Sequence, residues 1–224
     1  MVLCTILGMT IEKVAYRPLR NAGSPLAVLI TAIGVSYLLQ SLAQIIFGSA
    51  SKMVTVYEFG AVKLMGVTVQ VSSLATLAVT VVVMVSLTLF VKYTRLGRAM
   101  IAVSEDKSAA QLMGINVNVT ISATFAIGSA LAAIAGVLLC SAYPVLMPTT
   151  GSMPGIKAFT AAVFGGIGSI PGAMVGGLLL GVIETFSKFY ISTELSDAIV
   201  FAVLIIVLLV KPTGILGKKI SEKV

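Results

Sequence analysis

Long apolar runs separated by short polar segments are the main feature of the sequence. A helix that crosses the hydrocarbon core of a bilayer, roughly 30 Å thick, needs about 20 apolar residues. Three runs have that length, at residues 25–47, 72–91 and 119–142, and residues 197–210 with their flanks form a shorter fourth. The pattern predicts an all-α fold, a polytopic transmembrane helix bundle.

A further apolar segment, residues 156–186, contains the sequence GGIGSIPG at positions 165–172. Glycine gives the backbone extra freedom, and Pro171 lacks the amide hydrogen that a continuous helix uses. We therefore predict two short helices that meet at a break, forming a broken or re-entrant helix pair. Re-entry of residues 156–187 and two complete crossings are both open at this point.

The break is also a candidate gate or lining of a pathway, because irregular backbone at membrane depth persists only against protein or water. The candidate pathway residues are Gly165, Gly166, Gly168, Ser169, Pro171, Gly172 and, in the first span, Gln40. Small residues also recur at a spacing of four in this segment, and such stripes let helices pack closely in lipid. Plain packing and a pathway are both open interpretations.

The composition supports a membrane protein and excludes several other classes. Of the 224 residues, 58% are hydrophobic and 10% are charged, and the mean hydropathy is +1.10. In an ordinary soluble domain about a quarter of the residues are charged, and a disordered chain has far less apolar surface. The sequence contains no His, so it offers no imidazole as a metal ligand or general base. We expect no catalytic residue, no metal site and no cofactor bound by this chain.

The distribution of Lys and Arg predicts the orientation, because short cytoplasmic loops carry an excess of both. Three segments, assigned to the cytoplasm, carry eleven of them: Lys13, Arg17, Arg20, Lys92, Arg95, Arg98, Lys107, Lys211, Lys218, Lys219 and Lys223. The opposite connections and the broken segment carry four: Lys52, Lys63, Lys157 and Lys188. The C-terminus is therefore expected in the cytoplasm, with both ends of the broken segment outside. The net charge of +7 then reflects orientation, and we expect no nucleic-acid partner.

The cytoplasmic segment TRLGRAMIAVSEDKSAAQLMGI predicts a short helix over about residues 105–113. Ser104 is suited to cap this helix. Glu105 and Asp106 suit the positive end of its dipole, and Gly114 suits a left-handed end. The helix would present Ala109, Ala110, Leu112 and Met113. Insertion into a groove of another protein and an interfacial position on the membrane are both open at this point.

The sequence shows no means of converting energy. It lacks the Walker pattern G-x-x-x-x-G-K-[ST], and GIG at 166–168 fails as a dinucleotide fingerprint because a proline follows. A secondary transporter usually places ionisable residues within its spans, whereas the acid in the four predicted spans is Asp197, at one end. Glu184 and Lys188 lie four residues apart and are expected to pair. A purely structural membrane subunit is a third interpretation.

Several long motifs carry a family resemblance: AYRPLR at 15–20, ITAIGVSYLLQ at 30–40, the loop 97–115, KAFTAAVFGGIGSIPGAMVGG at 157–177 and KPTGILGKK at 211–219. Together, and in this order, they resemble the LivH-type permease of branched-chain amino acid ABC importers. The resemblance implies a single permease domain over residues 1–224 in the bacterial inner membrane, carrying branched-chain or related amino acids. It also implies a second, LivM-like permease, two cytoplasmic ATPases that use the ATP, and a periplasmic substrate-binding protein.

The resemblance assigns a role to the cytoplasmic helix as well, since the segment is similar to the EAA-type coupling helix that docks into a groove of the ATPase. The candidate coupling residues are Glu105, Asp106, Ala109, Ala110, Leu112, Met113 and Gly114. The family normally begins with further membrane helices. We therefore expect the N-terminal helices of the family to be missing from this sequence.

Overall fold

A computed structural model describes residues 1–19, 25–54, 60–64 and 67–217, most of which are helical. In chain order the elements are α1 (Val2–Ile11), a π-helical turn (Glu12–Tyr16), α2 (Arg17–Leu19), α3 (Pro25–Phe47), β1 (Lys52–Met53), β2 (Ala61–Leu64), β3 (Val67–Gln70), α4 (Val71–Tyr93), α5 (Arg95–Glu105), α6 (Lys107–Leu112), α7 (Val117–Ala142), β4 (Val145–Leu146), α8 (Ser152–Gly165), α9 (Ile170–Tyr190) and α10 (Ser196–Val210). Of the charges used to predict the orientation, those of Arg20, Lys218, Lys219 and Lys223 lie outside the described residues.

Within the described residues, four helices are long and apolar enough to cross a membrane: α3, α4, α7 and α9. The predicted all-α polytopic bundle is confirmed, and so are its three full-length spans. The expectation that α9 would be short is wrong, because it runs for 21 residues. Pro171 lies in its first turn, where a missing amide hydrogen breaks no helical hydrogen bond. The helices α8 and α10 are shorter, with 14 and 15 residues.

The chain forms two compact units, the first of which comprises Met1–Val82 and Leu89–Thr150. In this unit α1 packs along α7, and Gly8 allows the close approach because a Cβ there would overlap the Ser129 hydroxyl. Glu12, at the start of the π-helical turn, is 1% exposed, and its Oε2 accepts a hydrogen bond of 2.7 Å from Ser122 Oγ. The buried carboxylate therefore ties the N-terminal helix to the third span.

Short strands connect the helices of the first unit. β1 pairs antiparallel with β4, so the connection that follows α3 and the one that follows α7 meet at one end of the unit. β2 and β3 form an antiparallel hairpin between α3 and α4. This pairing agrees with the charge pattern, which places both connections on the outer side.

The second unit comprises Val83–Thr88 and Gly151–Val224, and in its described part α8, α9 and α10 pack around Phe164, Leu180 and Val200. A Cβ at Gly165 would overlap the carbonyl of Gly172, and a Cβ at Gly176 would overlap the carbonyl of Ala161. Small residues therefore let the backbones of α8 and α9 touch, as expected for helices associating in lipid.

Candidate functional site

The polar corner between α4 and α7 begins with a tight turn at Thr94. Thr94 Oγ1 accepts a hydrogen bond of 3.0 Å from the amide of Gly97, which caps α5. Gly97 is buried against the backbone of Val91, where a Cβ would clash. The turn needs glycine because only a residue without a side chain fits this close to the preceding helix.

Asp106 separates α5 from α6 and caps the second of these helices. Its backbone is extended, and its Oδ1 accepts hydrogen bonds from the amides of Ser108 and Ala109, at 2.8 and 3.1 Å. The prediction that Ser104 forms the cap is wrong. Ser104 lies within α5, where its hydroxyl donates to the carbonyl of Ile101. The α5 helix continues to Glu105, so the chain turns two residues later than predicted.

The helix α6 ends as predicted at Gly114, whose φ of +82° is left-handed. The amide of Ile115 donates to the carbonyl of Ala110 across 3.0 Å, which satisfies a carbonyl at the helix end. Asn116 then caps α7, because its Oδ1 accepts a hydrogen bond of 3.2 Å from the amide of Val119. The six-residue helix is thus capped by a side chain at its start and by backbone hydrogen bonds at its end.

Two apolar side chains project from the end of this corner. Leu112 is 89% exposed and Met113 is 82% exposed, although both lie outside the candidate membrane spans. Ala109 is also exposed, whereas Ala110 is 4% exposed and faces the interior. The structure therefore brings the candidate coupling residues into one corner but removes Ala110 from its outer surface.

A cavity of about 550 Å³ lies beside α6 and the start of α7. Its lining includes polar side chains from both helices and the turn between them: Lys107, Ser108, Gln111, Asn116 and Asn118. The sequence alone does not predict this cavity. The feature of the sequence that could have indicated it is the set of polar residues around the α6–α7 turn. These residues form a concave surface only once the chain turns at Gly114.

The predicted break in the second unit is a short turn between α8 and α9. Gly166 and Gly168 have φ values of +111° and +89°, and Ser169 caps α9 by accepting a hydrogen bond of 3.1 Å from the amide of Gly172. Gly165, Gly166 and Gly172 are buried. These three glycines are closely packed, whereas Gly168 and Pro171 lie at a more open surface, since an added Cβ at 168 would meet no atom. The role of this turn as a gate or pathway lining stays a prediction.

The segment after α10 folds back onto this turn. The amides of Ile215 and Leu216 donate to the carbonyls of Phe164 and Gly165, both at 2.9 Å, so they satisfy acceptors at the end of α8. The break therefore lies at the end of the second unit from which the C-terminal segment leaves. The sequence alone does not predict this contact, which joins residues about fifty positions apart.

A charged cluster links the three helices of the second unit. Lys157 Nζ lies 2.8 Å from Glu184 Oε1 and 2.7 Å from Asp197 Oδ1. Lys188 Nζ lies 2.6 Å from the same oxygen of Glu184, which confirms the predicted pair. The bridge to Asp197 was not predicted. All four side chains are partly exposed, so each pair contributes modestly to stability.

The remaining candidate, Gln40, lies in α3 and belongs to the first unit. Its Nε2 donates a hydrogen bond of 3.2 Å to Ser36 Oγ, one helical turn earlier. Its pathway role stays a prediction. In the described part of the chain, His, Cys, Asp and Glu residues form no group of three that could hold a metal ion.

Comparison with known proteins gives the family. The family described as the permease component of branched-chain amino acid transport systems matches residues 1–208. The chain is 47% identical to the high-affinity branched-chain amino acid transport permeases LivH of Escherichia coli K12 and BraD of Pseudomonas aeruginosa. Each match covers 100% of this chain and 74% of the relative.

More distant similarity extends to sugar transport. The fructose import permease FrcC of Rhizobium meliloti is 37% identical over 46% of this chain and 31% of the relative. No solved structure matches the chain significantly. The matches over the whole of this chain and the apolar spans together describe a multi-pass inner-membrane permease component. The chain belongs to the family of permease components of branched-chain amino acid transport systems.

Proposed function

We propose that this chain is the membrane permease subunit of an ATP-driven importer of branched-chain amino acids, and that α6 docks onto a cytoplasmic ATPase. The observation that carries the docking proposal is the pair Leu112 and Met113, 89% and 82% exposed at the end of a capped helix. No other large apolar side chain among those described is as exposed as Leu112.

Burial in a partner groove gives these side chains a favourable position. Complete burial of a Leu or Met side chain contributes about 1.5–3 kcal/mol. An interfacial helix on the membrane is less favourable, because six residues offer a small apolar face and polar residues begin the helix. Short helices with an exposed apolar end suit insertion into a groove of another protein.

The energy for transport would come from partner subunits. The sequence has no phosphate-binding loop, so the ATP would be bound and hydrolysed by two cytoplasmic ATPases, and this chain would bind no cofactor. A second, LivM-like permease would complete the membrane pathway. A periplasmic binding protein would deliver the substrate, which the names of the 47% identical relatives indicate to be a branched-chain amino acid.

The proposed topology places the C-terminus and the turn between α8 and α9 on the cytoplasmic side. Support comes from Lys211, which follows α10, and from the hydrogen bonds that join the following segment to that turn. The segment 156–187 would then cross the membrane twice rather than re-enter it. At 14 residues α8 is about 21 Å long, shorter than the roughly 30 Å hydrocarbon core, so this crossing would require local thinning of the bilayer or polar flanking residues that extend to the headgroups.

Affinity purification of the tagged permease from its native host tests the proposal. The wild-type chain should carry two ATPases and a second permease, identified by mass spectrometry. The double variant Leu112→Asp with Met113→Asp should keep the second permease but lose the ATPases. Met53→Asp is the matched control, since Met53 is 83% exposed on β1, at the outer end.

The outcomes separate the alternatives. Loss of the ATPases in the double variant, but not in Met53→Asp, supports docking through α6. Retention of the ATPases in that variant contradicts it. If the wild-type chain brings down no ATPase, yet restores uptake in a strain that lacks both this permease and the ATPases, the protein is a transporter that works without ATP.

A further inference from the structure

We propose that the cavity beside α6 receives an acidic side chain of the ATPase, which pairs with Lys107. This inference rests on the docking proposed above and adds a second, electrostatic contact to it. The cavity has a volume of about 550 Å³ and is lined mainly by polar side chains. That volume accommodates an Asp or Glu side chain together with several water molecules.

The positive charge of Lys107 favours an acidic side chain as the group bound in the cavity. Among the described residues that line the cavity, Lys107 alone carries a charge, and Ser108, Gln111 and Asn118 add groups that can donate hydrogen bonds. Within the described part of the chain, Lys107 makes no ion pair. The neighbouring acid, Asp106, already accepts two backbone hydrogen bonds through its Oδ1.

The cavity is continuous with the proposed docking surface. Gln111 and Gly114 line it, and they flank Leu112 and Met113 in the sequence. Lys107 and Leu112 lie at opposite ends of α6, about 8 Å apart along the helix axis. One partner surface can therefore hold the apolar pair in a groove and place a carboxylate beside Lys107, which favours a protein acid over a lipid phosphate.

Three substitutions of Lys107 separate its charge from its contribution to the helix. Gln has nearly the same helix propensity as Lys, and Glu at the start of a helix interacts favourably with the dipole. Neither Lys107→Gln nor Lys107→Glu should therefore unfold α6. Lys107→Arg keeps the charge. Lys92→Glu is the matched control, because Lys92 is an exposed cation at the end of α4 that does not line the cavity.

The experiment titrates the purified ATPase onto the permease reconstituted in lipid nanodiscs. We expect binding about tenfold weaker for Lys107→Gln and weaker still for Lys107→Glu. Lys107→Arg keeps the positive charge in the cavity and should restore most of the binding that Lys107→Gln loses. Binding should change less than about twofold for Lys92→Glu, since a screened surface charge outside the cavity contributes little. The difference between wild type and Lys107→Gln should shrink at high salt, where ion pairs are screened.

The outcomes distinguish this inference from the docking proposal. Normal binding by the double variant Leu112→Asp with Met113→Asp overturns the docking proposal and, with it, the acid at Lys107. Lost binding by that double variant together with normal binding by Lys107→Gln overturns the acidic contact alone. The same holds if Lys107→Gln weakens binding only in nanodiscs with anionic lipid and not in pure phosphatidylcholine, because the effect of Lys107 then depends on an anionic lipid headgroup.

Discussion

Replacing Asp106 by Ala should loosen α6 without altering the residues that α6 presents. The substitution removes the acceptor for the amides of Ser108 and Ala109. Loss of an N-cap costs about 1 kcal/mol and at most about 2, part of it from the helix dipole. A loss of 1–2 kcal/mol lowers the ratio of ordered to disordered α6 by about 5- to 30-fold. With six residues, the helix has little other local stability.

Hydrogen exchange of the permease in nanodiscs measures this change directly. The amides of Ala110 and Met113, which donate to carbonyls one turn earlier, should exchange about 5- to 30-fold faster in Asp106→Ala. ATPase affinity should fall in parallel if docking requires an ordered helix. Asp106→Asn preserves the cap and should exchange like the wild type. Glu105→Ala is the control, because it removes a neighbouring charge that makes no cap, and it should also exchange like the wild type. Equal exchange in Asp106→Ala and Asp106→Asn would refute the capping argument.

Three further predictions concern the second unit. Gly176→Ala should reduce the free energy of unfolding by about 1–3 kcal/mol, because its Cβ would overlap a carbonyl of α8. The melting temperature in detergent should fall accordingly. Gly181→Ala is the control and should leave the melting temperature unchanged, because its Cβ meets open space. Equal melting temperatures for the two variants would count against backbone contact between α8 and α9. Lys157→Met should destabilise the unit by about 1 kcal/mol, more than Lys188→Met, since it removes the bridges from α8 to both α9 and α10 and leaves Asp197 without its cation, while Glu184 keeps Lys188; thermal unfolding at low salt checks the order. Ile167→Cys, with the native cysteines replaced, should react with an impermeant maleimide only in inside-out vesicles, and labelling of intact cells would contradict the proposed topology.

The polar corner between α4 and α7 shows which features local sequence signals can predict. Gly114 was predicted to end the helix, and it does, because a left-handed residue there is a property of the adjacent backbone. The cap was placed at Ser104 rather than Asp106, since both residues are good caps and the difference depends on where α5 ends. Val103 is buried and α5 packs on α7. That packing extends the helix past Ser104.

The positions of three of the long spans, α3, α4 and α7, were determined by the sequence alone, because the thickness of the bilayer requires a run of apolar residues that the sequence shows directly; the full length of α9 was not. Only the tertiary structure decided which polar residues meet. Lys157 forms a salt bridge with Asp197 forty positions away, Ile215 caps the end of α8, and Lys107 lines a cavity with residues of α7. Such contacts depend on the path of the backbone between distant segments, and hydrophobic periodicity carries no information about that path.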